Sequence, residues 1–164
     1  MHNLKVITVS IALIASVIVA APALSSEPAM DSMKGHISII PSEIKWSDAP
    51  SIGPGAKIAV LEGDPKQAAP FTMRLKLPPN FKIATHTHPA DERVTVLSGT
   101  FHLGIGDKPD SAKAVAYPVG GLTVIPSGMP MFAFTTDEEA VLQVNGVGPW
   151  GIDYLNPAED QRTK

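Results

Sequence analysis

Phe71, Met73, Leu75 and Leu77 alternate with Thr72, Arg74 and Lys76. A period of two puts the apolar set on one face of an extended chain and the polar set on the other, so the segment predicts a half-buried antiparallel strand. Short runs of similar character recur along the chain. Strands are expected at 57–62, 71–77, 82–88, 93–97, 100–105, 114–117, 122–125, 131–134 and 140–145. Two shorter candidates, 37–40 and 43–46, are split by Pro41. Gly63-Asp64-Pro65, Pro78-Pro79-Asn80 and Ser98-Gly99 are combinations that turn a chain. Residues 137–140 suit one helical turn, but no stretch has the spacing of a long amphipathic helix. This pattern predicts an all-β sandwich or barrel. Trp150, Ile152 and Tyr154 predict a tail that packs back on that body, with residues 160–164 expected to fray.

The first residues follow a different pattern. Residues 1–5 carry Lys5, 6–21 are apolar apart from Thr8, Ser10 and Ser16, and Ala21-Pro22-Ala23 and Leu24-Ser25-Ser26 are rich in small residues. That is the order of a secretory signal peptide, with cleavage expected within 23–26. The apolar run falls short of the ~20 residues of a spanning helix, which favours cleavage over a retained anchor. The expected organisation is a signal peptide at 1–25, an irregular arm at 26–43, a barrel at 44–155 and a tail at 156–164. The expected location is periplasmic or secreted, with no membrane attachment after cleavage.

Composition narrows the chemistry. The 13 glycines and 16 prolines in 164 residues exceed the usual share and agree with many turns. A formal net charge of -3 with scattered Lys and Arg gives no basic stripe for nucleic acid. The chain has no cysteine, which excludes disulfides, thiolate zinc sites and a cysteine nucleophile. Ser98 and Ser127 have no base at a readable spacing, so a hydrolytic triad is not indicated.

His86 and His88 lie two apart in an expected strand. They should point to one face with Cα atoms about 6.6 Å apart, close enough to converge on one ion. Glu92 follows after Pro89-Ala90-Asp91, enough chain to bring a carboxylate to the same centre. Two imidazoles and a carboxylate suit one divalent ion, Fe(II), Mn(II), Zn(II), Ni(II) or Co(II). The competing reading is two exposed loop histidines beside a turn. Asp91 and Arg93 either orient Glu92 or are simply solvated. Gln143 and Asn145 alternate on the last strand, either pointing inward as substrate hydrogen bonders or lying on an exposed polar face. His102 is expected to face outward, because Phe101 and Leu103 share the other phase.

At these residues the sequence resembles the cupin superfamily. Its first motif is met by His86, His88, Glu92 and Gly99, with Asn80 in place of the opening glycine. Asparagine is the residue that best tolerates the same left-handed backbone. Its second motif is met by Gly120, Pro126 and Gly128, while Met131 and Thr135 stand where the family has His and Asn. The resemblance covers roughly 44–145. It implies a single antiparallel cupin barrel, a double-stranded β-helix of jelly-roll type, with a metal in its mouth and frequent homodimers.

The resemblance also makes Met131 the occupant of the usual fourth-ligand position. Three readings stay open: Met131 packs beside a three-ligand site, it ligates a soft ion such as Cu(I) together with Met129, or the ion is lost and only an organic ligand binds. The implied function is a metal-binding exported cupin that acts on or binds a small organic molecule, with dioxygenase-like oxidoreductase chemistry among the options. The alternative is a non-catalytic protein that binds a small ligand or copper. Fold alone does not choose between them.

Overall fold

The computed structural model describes residues 35–163; the signal-peptide reading of 1–25 and the start of the arm lie outside the described residues. Eleven strands follow one another: β1 (Ser47–Asp48), β2 (Lys57–Glu62), β3 (Pro70–Leu77), β4 (Lys82–Thr87), β5 (Glu92–Ser98), β6 (Phe101–Ile105), β7 (Val115–Tyr117), β8 (Leu122–Ile125), β9 (Met131–Phe134), β10 (Ala140–Val147) and β11 (Asp153–Tyr154). They form two antiparallel sheets, ordered β1-β2-β3-β10-β5-β8 and β11-β4-β9-β6-β7. The last long strand, β10, is inserted between β3 and β5, so the first sheet closes only through a strand distant in sequence.

The core lies between the sheets. On β3 the expected alternation holds, with Phe71, Met73, Leu75 and Leu77 buried and the intervening residues partly exposed. Val94 and Val96 on β5 and Leu142 and Val144 on β10 continue that apolar face. Ile83, Phe101, Leu103, Met131 and Ala133 cover it from the second sheet. This is the jelly-roll form of the expected all-β fold, built from two facing sheets. No helix among the described residues is long and apolar enough to cross a membrane.

Two turns fix the corners. Asn80 has φ 55, and among the described residues it is the one non-glycine with positive φ. Its neighbours are tied to β9 through Thr135, whose hydroxyl donates to Pro78 O (2.6 Å) and accepts from Phe81 N–H (3.0 Å). Thr135 thus staples the corner from the position where the family motif has asparagine. Gly99 has φ +70 and abuts the Glu139 carbonyl so closely that no Cβ fits there.

Several expectations are corrected. Residues 37–40 and 43–46 are not strands; Pro41–Glu43 is a 3-10 turn and β1 begins only at Ser47. Ile39 and Ile40 are exposed and belong to neither sheet among the described residues. Residues 137–140 contain no helical turn. The tail carries two 3-10 turns, Pro157–Glu159 and Gln161–Thr163.

Candidate functional site

The site begins with an irregularity in β4. Ile83 pairs with Ala133 and His86 with Met131, so three steps along β4 match two along β9. Such a bulge inserts one residue and reverses which side chains face inward. Ile83 is therefore buried before the bulge, and His86 and His88 after it. Glu92 opens β5 in the same phase as Val94 and Val96, which turns its carboxylate inward. His86, His88, Glu92 and Met131 are 2%, 4%, 4% and 3% exposed, which excludes the reading of two exposed loop histidines.

Both imidazoles are oriented by backbone carbonyls. His86 Nδ1 lies 2.7 Å from Ala84 O, and His88 Nδ1 lies 2.5 Å from Gly151 O. A carbonyl only accepts, so each Nδ1 carries the proton and, in the neutral ring, each Nε2 keeps its lone pair. The rings meet edge to face with centres 4.8 Å apart. His88 Nε2 stands 3.4 Å from Glu92 Oε2. The other carboxylate oxygen, Oε1, accepts from Trp150 Nε1–H at 3.1 Å. Trp150 also stacks on His88, with ring centres 5.0 Å apart and planes 18° from parallel.

Burial controls the charges here. It pushes the His86 pKa down to about 4, helped by His88 nearby and opposed by the bond to Ala84 O. His86 is thus a neutral base at ordinary pH. Burial also raises the Glu92 carboxyl, against the opposing pull of His88 and the Trp150 hydrogen bond. The cavity between them is small, about 30 Å³, and is walled by side chains such as Leu75, Phe101, Leu142, Val144 and Ile152. A space of this size admits a water or an ion. Among the described residues no three His, Asp or Glu side chains already stand as a ready metal-binding group. The donor chemistry nevertheless suits a divalent ion: two imidazoles with the ligating nitrogen bare, and one carboxylate.

Other expected residues fall elsewhere. Gln143 and Asn145 do not line the cavity, because Leu142 and Val144 occupy the inward phase of β10. On the opposite face Gln143 accepts from Arg74 and Asn145 donates to Thr72. Asp91 does not orient Glu92; its carboxylate accepts from Ser127 N–H at 2.9 Å and ties two loops together, while Arg93 is exposed. His102 lies on the face away from the cavity, as expected, stacked on Phe134 with ring centres 4.7 Å apart. Trp150 and Gly151 are site residues that the sequence reading missed. The signal was the aromatic tail, read only as a segment that packs back.

The two facing sheets have the cupin fold, and His86 on β4 and His88 just beyond it are buried between them. The chain belongs to the family described as Domain of unknown function (DUF4437), whose model matches residues 39–160. No curated protein matches it. Among solved structures it is similar to the polyketide cyclase RemF from Streptomyces resistomycificus, with TM-score 0.63 and 19% identity over 76% of this chain and 88% of that one. It is also similar to an RmlC-like cupin from Shewanella frigidimarina, with TM-score 0.54 and 15% identity over 69% and 91% of the two chains. The DMSP lyase DddQ from Ruegeria pomeroyi gives TM-score 0.57 and 18% identity over 71% and 63%. At these identities the likeness is one of fold.

Proposed function

We propose that this protein is a metal-binding cupin in which His86, His88 and Glu92 hold one divalent ion, and that it acts on or binds a small organic molecule there. One observation carries the reading. His88 Nε2 and Glu92 Oε2 face each other at 3.4 Å in a buried site, while His88 Nδ1 is already committed to Gly151 O. Two lone pairs so placed repel unless a cation lies between them, either a proton or a metal ion. The second inward imidazole, His86, kept neutral by burial, favours the metal.

A bound ion would supply Lewis acidity or a place for oxygen. Two histidines and one carboxylate leave coordination positions open, the basis for a dioxygenase-like oxidoreductase. Similarity in fold to a polyketide cyclase and a DMSP lyase supports a small organic substrate. The non-catalytic reading has its own support. Among the described residues, the ionisable side chains lining the cavity are His86, His88 and Glu92, with no separate general base beside them.

The test is elemental analysis of protein recovered from its native compartment. About one divalent ion per chain is expected, lost in His86→Ala, His88→Ala and Glu92→Ala; unchanged metal content in all three would overturn the site. Turnover that follows metal content identifies an enzyme, and metal without turnover a binder. The same reading takes the protein to be exported and dimeric. Intact mass of the exported form and sedimentation test those two points.

A further inference from the structure

We infer that Trp150 is a positioning residue for this site: its indole N–H fixes which oxygen of Glu92 faces His88, and thereby sets how tightly the site holds its ion. The effect on ion affinity rests on the proposed metal reading; the orientation of Glu92 does not.

A buried carboxylate can turn about its last bond, and which oxygen it presents is decided by whatever donates to it. Among the described residues the hydrogen bond to Glu92 comes from Trp150, at 3.1 Å to Oε1. That leaves Oε2 directed at His88 Nε2. The same indole lies flat on the His88 ring, so one side chain restrains both partners of the facing pair. The next residue, Gly151, accepts the Nδ1 proton of His88.

The segment that carries these groups is itself fastened. Trp150 N–H donates to Pro65 O at 2.6 Å, and Gly148 N–H donates to Ala69 O at 3.0 Å. Gly148 sits against the Gln67 and Pro65 carbonyls with no room for a Cβ. Beyond the indole, Tyr154 pairs with His86 across β11 and β4. The strap is thus held from outside by the loop at 65–69 and aims its donors inward. Groups that orient metal ligands in this way typically change ion affinity by about 10–100-fold when removed.

The experiment must separate the N–H from the ring. Trp150→Phe keeps an aromatic ring near His88 and removes the donor. Benzothienylalanine incorporated at position 150 keeps the full bicyclic shape and replaces only the N–H by sulfur. Both full-length proteins, with the wild type, are stripped of metal and titrated with Zn(II) and Co(II), with the visible Co(II) bands recorded. Zn(II) affinity should fall by about 10–100-fold in both variants, with altered Co(II) bands. The metal-free benzothienyl protein should still unfold cooperatively, with its melting temperature lowered only by the loss of one buried hydrogen bond, because shape is kept. Wild-type affinity and wild-type Co(II) bands in the benzothienyl protein would overturn the inference.

If the wild type binds neither ion, the metal reading fails, and the inference is decided separately by NMR. In ¹⁵N-labelled metal-free protein, Glu92→Gln should move the Trp150 indole resonance and speed its exchange with solvent. An unmoved resonance with unchanged exchange means that the hydrogen bond, and the positioning role with it, does not exist.

Discussion

Met131 lies directly across the strand ladder from His86, and both side chains are buried. The thioether therefore borders the site whether or not it binds an ion. Met131→Leu keeps volume and apolarity, so Zn(II) affinity should stay within about threefold of wild type. Met131→His places a third imidazole beside His86 and should tighten Zn(II) or Ni(II) by about tenfold or more. Calorimetric titration reads both. A selective loss of Cu(I) binding in Met131→Leu would instead make the sulfur a ligand.

His86 predicts a pH dependence of stability. Its folded pKa of about 4 lies below the ordinary value of 6.5, so the fold accepts only the neutral ring. The stability it contributes is present above pH 6.5 and is lost as pH falls from 6.5 toward 4. The full loss is about 3 kcal/mol, at about 1.4 kcal/mol for each pH unit. Glu92 works in the opposite sense: its raised pKa means that burial penalises the carboxylate above pH 4.5, and the penalty is relieved on acidification. Urea unfolding of chelator-treated protein at pH 7 and pH 4 should show a larger drop in wild type than in His86→Asn. Equal drops would contradict this account of His86.

Thr135 gives a prediction about the fold. Its hydroxyl serves Pro78 O and Phe81 N–H at once, in a buried place. Thr135→Val keeps the shape and strands both groups, at a cost of about 2–3 kcal/mol. Thr135→Ser keeps both bonds and should cost about 1 kcal/mol for the lost methyl. Chemical denaturation of the two variants side by side checks the difference.

Asn80 can be tested by its backbone alone. With φ 55 it occupies a region that alanine enters at a cost of about 1 kcal/mol or more and glycine enters freely. Asn80→Ala should lower the unfolding midpoint, while Asn80→Gly should leave it close to wild type. Equal midpoints in the two variants would show that the turn is not strained.

Local alternation made much of the fold legible. β3 has its apolar residues on one face because a period of two is a property of the strand itself. At the positions of the resemblance, Asn80 and Gly99 have positive φ, and His86 and His88 are buried. What was hidden depends on pairing. The bulge between Ile83 and His86 exists only in the register of β4 against β9, so no local pattern announces that Ile83 and both histidines share the interior. Gln143 and Asn145 were assigned no side, although Leu142 and Val144 in the opposite phase are the residues a core would take. The apolar residues at 37–40 imitate a strand but pair with no strand among the described residues. Trp150 was visible as an aromatic in the tail, yet its contact with Glu92 spans 58 residues and is purely tertiary.

Those long separations also say something about biosynthesis. His88 leaves the ribosome 63 residues ahead of Gly151, and Glu92 leaves 58 ahead of Trp150. A nascent chain that ends before β10 has both histidines and the glutamate, but neither the carbonyl that sets one tautomer nor the indole that turns the carboxylate. It also lacks the strand that joins β3 to β5. Translation therefore delivers the components of the site early and its scaffold late, and a chain cut short just before Ala140 would carry the whole recognisable motif without β10 or the Trp150–Gly151 strap that complete the pocket.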